Sequence, residues 1–306
     1  MLARALRALM VWLTSLPFAR RVITESAIGR GVAKRFVAGD TLDDAMKVAG
    51  GLNDRGLGAM LDLLGENVTN EEQAERAAAG YAAALRRIEA TGVADSNISI
   101  KLTQLGLDIS PELCLANCER VLRAANGTLV MIDMESSEYT ERTIATYEKL
   151  RAGHDNIGIC LQAALHRTPA YVRRIAGPGV AIRLAKGAYL EPADVALANP
   201  RDVAIAFARL GATILALGAT LHVATHDPGL IAGARRHVQA RGIPRERYEF
   251  QMLYGIRRDL QNSLRTQGSP VRVYVPYGSE WYPYLTRRLV ERPANVWFFL
   301  SNLFRR

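Results

Sequence analysis

The stretch ISIKLTQLGLDISPELCLANCERVLRAANGTLVMIDM, residues 98–134, carries the pattern that decides the fold. It opens with a short apolar strand, 98–102, with a lysine at its next-to-last position. A polar junction follows, then a helical stretch, 111–125, with charged residues at helical spacing. A second apolar strand, 129–134, closes it. Cys114 and Cys118 lie four apart in the helical part and read as small core residues of a reducing compartment. The same beat runs from residue 57, with strands expected at 57–64, 98–102, 129–134, 158–163, 180–184, 220–225, 248–253 and 271–275. Helical segments such as 71–89, 142–152 and 228–240 follow them. Strict alternation argues for a parallel sheet, because parallel neighbours need a helical crossover. Eight units over about 240 residues fit an α/β fold of the (β/α)8 TIM type better than an open doubly wound sheet. No linker splits the chain, so the division expected is an N-terminal helical arm, 1–45, and a catalytic barrel, 46–306.

Composition excludes several classes. In 306 residues, 49% hydrophobic and 23% charged, the apolar fraction is too high for disorder. Three cysteines, Cys114, Cys118 and Cys160, rule out a disulfide scaffold and show no metal-ligand spacing. No run of 18 apolar residues is present, so no spanning helix is expected. The formal charge of +9 favours an anionic partner: nucleic acid, a membrane surface, or a phosphate-bearing cofactor. Near the start, Arg4, Arg7, Arg20 and Arg21 surround the apolar stretch 8–18. A signal peptide shares that outline, but no small-x-small cleavage site follows, and Pro17 and Arg20-Arg21 fall where one would lie. A short amphipathic helix on the body or on a lipid surface is the reading kept. Residues 23–37 form the next helix candidate.

A barrel of this kind collects its chemistry at the C-terminal ends of the strands. Polar residues indeed recur at or just after those ends: Asp62 and Glu66, Lys101, Asp133 and Glu135, Gln162, Arg183 and Lys186, Thr225, His226 and Asp227, Glu249 and Gln251, Tyr274. Solvated loop positions would explain any one of them, but Arg183 and Gln251 interrupt otherwise apolar strands. Lys101 is a point charge for an anionic substrate, a Schiff-base amine, or a lysine snorkelling at a strand edge. Asp133 is a general base, an ionic tether, or a carboxylate near a helix N-terminus. Arg183 and Lys186, followed by Gly187, suit a diphosphate or an electron-rich ring. The five histidines form no zinc pattern, and no metal is expected. In the last helix Tyr284, Arg287, Arg288 and Glu291 share one face, and an arginine pair can clamp a carboxylate with fork geometry. Gly29-Arg30-Gly31 and Gly56-Leu57-Gly58 begin but do not complete a dinucleotide loop, and no nucleic-acid motif appears.

Eight segments together resemble bacterial proline dehydrogenase, in that family's order over roughly residues 38–300. They are Ile-Lys-Leu (100–102), Ile-Asp-Met-Glu (132–135), Leu-Gln-Ala (161–163), Arg-Leu-Ala-Lys-Gly-Ala-Tyr (183–189), Ala-Thr-His (224–226), Glu-Phe-Gln-Met-Leu-Tyr-Gly (249–255), Tyr-Val-Pro-Tyr-Gly (274–278) and Tyr-Leu-Thr-Arg-Arg-Leu-Val-Glu-Arg (284–292). The resemblance is to the short monofunctional type. It implies a distorted barrel that binds FAD without a Rossmann domain and oxidises L-proline to Δ1-pyrroline-5-carboxylate. Electrons would pass on to a membrane quinone, at an anionic membrane surface on the cytoplasmic side, with no nucleic-acid partner; a homo-oligomer is compatible with it.

Carried over by motif, Asp133 and Arg183 are the catalytic positions, with Arg183 facing the flavin. Lys101, Arg287 and Arg288 would hold the proline carboxylate, and Tyr274, Tyr284, Tyr189, Leu184 and Leu253 would pack around the ring. Met134, Gln162, Arg183, Lys186, Gly187, Ala188, Thr225, His226 and Gln251 would contact FAD. Leu190 stands where relatives often carry a bulkier aromatic residue, and Tyr277 is given no role. Tyr284 favours proline over hydroxyproline. Two rivals stand beside this reading: an aldolase using Lys101 as a Schiff base, and a basic lipid- or nucleic-acid-binding protein with the barrel as scaffold.

Overall fold

In the computed structural model, which describes residues 27–93, 95–189 and 191–291, parallel strands hydrogen-bond in chain order and the last closes onto the first. The eight described strands are β1 (Gly58–Leu63), β2 (Ser96–Ile100), β3 (Val130–Ile132), β4 (Ile157–Gln162), β5 (Ala181–Ala185), β6 (Thr220–Ala224), β7 (Tyr248–Leu253) and β8 (Val271–Tyr277). Closure is made by β1 and β8, in register from Gly58↔Arg272 to Leu63↔Tyr277. Both faces of each strand are covered, and the strands accordingly read as near-continuous apolar runs. β3 ends at Ile132, before the expected 134, which leaves Asp133 and Met134 on the rim. β8 runs on to Tyr277 because β1 supplies a partner along its whole length, so Tyr274 sits in mid-strand.

The crossover helices are α3 (Glu71–Thr91), α4 (Pro111–Ala124), α5 (Thr140–Arg151), α6 (Thr168–Ile175), α7 (Pro200–Ala216), α8 (Pro228–Ala240) and α9 (Arg258–Thr266), preceded by α1 (Ala27–Phe36) and α2 (Leu42–Asn53). Their starts are written into the sequence. Ser110, Asn199 and Asp227 each accept from backbone N–H groups of the first turn, and a proline follows each. Proline costs nothing there, since its missing N–H has no helical partner in any case. Alanines on the inner face of α3, among them Ala74, Ala77 and Ala78, are buried and let the helix lie close on the sheet. Cys114 and Cys118 are fully buried on α4, and Cys160 is buried on β4.

A second, smaller cluster lies over the C-terminal mouth of the barrel. There Ala33, Phe36 and Val37, at the end of α1, meet Leu64 and Trp281, Tyr282, Tyr284 and Leu285 of α10 (Trp281–Glu291). The approach is close: at Gly255 (φ +76°) an added Cβ would collide with the Arg35 carbonyl oxygen. Ala38 N–H then donates to the Pro276 carbonyl at 2.8 Å. Of the arm expected at 1–45, residues 27–45 are described, and α2 crosses its end; the amphipathic segment 1–22 lies outside the described residues. Among the described residues no helix is long and apolar enough to cross a membrane.

Candidate active site

Side chains on a strand alternate between the barrel interior and the helix layer. On β5 this turns Arg183 inward, where it meets residues from β1, β2, β7 and β8 and the rim after β3. Arg183 is 5% exposed. Its Nε donates to Gln251 Oε1 at 2.7 Å, Nη1 pairs with Asp133, Nη2 reaches Met60 Sδ, and its Cζ lies 5.2 Å from the Tyr274 ring centre. Asp133 is the hub of the cluster. Besides Arg183 it accepts from Ser99 Oγ at 2.6 Å and from Tyr274 Oη at 2.6 Å, and Lys101 Nζ lies 3.4 Å away. Lys101 is bound more closely by Asp62, in an ion pair buried on both sides.

These contacts set the charge states. Burial alone would raise the Asp133 carboxyl, but Lys101, Arg183 and the Ser99 and Tyr274 hydroxyls hold it below its ordinary value. Burial likewise opposes charge on Lys101, yet Asp62, Tyr274 and Asp133 push the ammonium well above the usual lysine range. Asp62 is raised because burial outweighs its cation. Burial also drives the Tyr274 phenol well up, so it stays a hydrogen-bond donor. Lys101 is therefore a held cation, which disfavours its use as a Schiff-base amine, since that nucleophile must be neutral.

Above this cluster opens a cavity of about 720 Å³. Lys101, Asp133, Met134, Arg183, Lys186, Gly187, Ala188, Tyr189, Thr225, His226, Gln251, Leu253, Tyr274 and Tyr284, all expected at the site, line it. Asp62 and Cys160 join them. Lys186 pairs with Asp227 at 2.7 Å, and Asp227 also caps α8. His226 Nε2 accepts from the Leu253 N–H at 2.9 Å, tying the ends of β6 and β7 together.

Gln162 lies one layer back. Its Nε2 donates to the Glu135 carbonyl at 2.8 Å, and its Oε1 would stand 3.3 Å from a Cβ added at Gly187. Leu184, expected beside the substrate ring, is not on the cavity wall. It neighbours the inward-facing Arg183 in the strand and is fully buried, with Cδ2 3.9 Å from the place of a Cβ at Gly211 of α7. Glu249 also departs from expectation: it is the second residue of β7, toward the end of the strand away from the cavity, and pairs with Arg272. Arg287 and Arg288 are carried by α10, and their side chains lie outside the described residues, as does Leu190. Asp62 was legible only as a carboxylate inside the apolar strand Gly-Ala-Met-Leu-Asp-Leu; nothing in the sequence pairs it with Lys101. Among the described residues no group of three or more His, Cys, Asp or Glu side chains could hold a metal ion.

Comparison with known proteins gives a consistent result. The sequence model described as proline dehydrogenase matches residues 45–300. The chain is 39% identical over 276 residues to proline dehydrogenase 1 of Bacillus subtilis, covering 90% of this chain and 91% of that one. It is 36% identical over 281 residues to proline dehydrogenase of Deinococcus radiodurans, covering 90% of each. Among solved structures, proline utilization A from Bdellovibrio bacteriovorus superposes with a TM-score of 0.79 at 22% identity, over 86% of this chain and 33% of that one. The last of these speaks for the fold alone.

Proposed function

Because the chain belongs to the proline dehydrogenase family, we propose that it oxidises L-proline to Δ1-pyrroline-5-carboxylate, using bound FAD and passing the electrons to a membrane quinone. The observation that carries this reading is Arg183, a buried cation aimed by Asp133 and Gln251 at a cavity far larger than proline needs. A volume of about 720 Å³ lies in the upper part of the range for cofactor and ligand pockets.

The residues present fit FAD. Gly187, at φ +115°, leaves open a cradle that a side chain would crowd, backed by Gln162 and Ala164 at 3.3 Å. Arg183, Lys186, Gly187, Ala188, Met134, Thr225, His226 and Gln251 would hold the group, with Gln162 supporting from behind. Bound there, FAD supplies the two-electron oxidant, a chemistry that no side chain offers.

The protein's own part is binding and orientation. Within the inner cluster two carboxylates, Asp62 and Asp133, balance two cations, Lys101 and Arg183. A substrate carboxylate placed against Lys101 therefore meets a cation already shared. Arg287 and Arg288, carried by α10 over the same mouth, would supply the uncompensated charge, and their planar forks favour a carboxylate. Tyr274, Tyr284, Tyr189 and Leu253 would wall the ring. Asp133 would hold Arg183, Lys101 and Tyr274 in one arrangement, so that positioning is set before substrate arrives.

Among the +9 excess, Arg4, Arg7, Arg20 and Arg21 beside the apolar stretch 8–18 suit approach to anionic lipid, where a quinone is reached. Deleting residues 1–22 would abolish binding to anionic vesicles; unchanged binding would remove this part. The reaction is tested by incubating the flavoprotein with L-proline and a soluble quinone analogue and weighing the product. A product lighter than proline by two hydrogens is expected, and recovery of unaltered proline alone would overturn the assignment.

A further inference from the structure

We infer that Glu249 and His222, at the end of the barrel opposite the cavity, are positioning residues that fix the Gln251 amide and, through it, the direction of Arg183. Gln251 is 5% exposed, and its amide has two unlike ends. Its Nε2 carries two protons and faces two acceptors, Glu249 Oε1 at 2.6 Å and His222 Nδ1 at 2.9 Å. Both donors are thereby used, so Oε1 must point the other way, to Arg183 Nε at 2.7 Å. The flipped amide would set an NH2 against a guanidinium that has only donors, and would leave a carboxylate facing an oxygen.

The two acceptors are themselves held. Arg272 donates from Nε to Glu249 at 3.0 Å and from Nη2 to Asp95 at 2.7 Å, and its Nη1 reaches the Ala59 carbonyl at 3.0 Å. His222 lies within 3.6 Å of Glu249 and is buried, which keeps its imidazole neutral. A neutral ring with Nδ1 accepting carries its proton on Nε2. The result is one relay, Asp95–Arg272–Glu249–Gln251–Arg183–Asp133, running from an exposed carboxylate at the base of the barrel through buried side chains to the cavity. Glu249 and His222 do not line the cavity, and Gln251 is the hydrogen-bonded link from both of them to Arg183.

This inference rests on the reading that Arg183 serves the flavin, and its test separates the two. The first readout needs no chemistry: hydrogen exchange of the Arg183 Nε–H by nitrogen-15 NMR of the purified flavoprotein, assigned with Arg183→Lys. Losing one anchoring hydrogen bond, about 1.5 kcal/mol, predicts about tenfold faster exchange in Glu249→Leu and in His222→Leu. His222→Asn, which can restore an acceptor near the place of Nδ1, is expected to return exchange toward the wild-type rate. The second readout is the midpoint potential of the bound flavin, expected to fall by about 30 mV in the Leu variants, the equivalent of a tenfold change for a two-electron couple.

Exchange within twofold of wild type in both folded Leu variants would overturn the positioning role. Faster exchange with an unchanged potential would uphold that role and instead refute Arg183 as a flavin contact. Should Glu249→Leu fail to fold because Arg272 is stranded, Glu249→Gln, which keeps an oxygen for Arg272 but relaxes the amide's orientation, carries the same exchange test.

Discussion

Replacing Lys101 by methionine removes the cation that two buried carboxylates share, and the two are left in unequal positions. Asp62 is 1% exposed, and Lys101 is the cation paired with it; Asp133 keeps Arg183, Ser99 and Tyr274. The loss therefore falls mainly on Asp62. Removing one partner of a buried ion pair costs about 3–5 kcal/mol, because the other charge is left uncompensated. For a chain of this size that is a fall in Tm of about 5–8 °C. Protonation offers Asp62 an escape, since burial already holds its carboxyl above the usual range.

In the unfolded chain that carboxyl titrates near pH 4, so between there and its raised folded value the native state binds the extra proton. Stability then falls as pH rises, and the Lys101→Met penalty is larger at about pH 7 than at about pH 5. Urea unfolding of wild type and variant at both pH values measures it. A penalty below about 1 kcal/mol at pH 7, the level of an exposed pair, would refute the argument, as would an equal penalty at both.

Three further outcomes are expected. Gly187→Ala forces a side chain into a backbone at φ +115° and against Gln162, a strain of about 1–3 kcal/mol, and should yield protein with depleted flavin; wild-type flavin content would count against the cradle. Arg288→Met should raise the KM for L-proline at least about tenfold, the loss of one charge-assisted contact, with flavin retained; an unchanged KM would sink the carboxylate clamp. His222 is depressed to about 4 by burial, so the unfolded chain takes up its proton first as pH falls from the ordinary histidine range toward 4, and stability is lost across that window. His222→Asn should unfold at lower pH than wild type, and an identical acid midpoint would show that His222 does not titrate on unfolding.

The barrel was legible because its signal is repeated: an apolar run, a polar junction and a helix, eight times, with capping residues at several starts. The rim residues were legible for the same reason, since an arginine or glutamine inside an apolar strand has few explanations besides an inward site. Sequence alone could not separate which end of a strand a polar residue serves. Glu249 and Gln251 lie two apart on one face of β7, yet one belongs to the base and the other to the cavity. Leu184 shows the complementary limit: a motif brings a residue near the site, but pleating decides whether it faces in. The Asp62–Lys101 pair spans 39 positions and two strands, so its partnership exists only once β1 and β2 align Asp62 with Ser99.

A barrel that holds a flavin beside Arg183, reducible by L-proline, has a direct optical signature. Anaerobic addition of L-proline to the purified protein, followed at the visible flavin band, reads it. Bleaching with L-proline, little with 4-hydroxyproline and none with L-lactate is the result predicted, and Arg183→Met should remove it while flavin stays bound. A band that L-proline leaves unchanged, or a protein purified without flavin that cannot be loaded with FAD, would contradict flavin-dependent proline oxidation at this site.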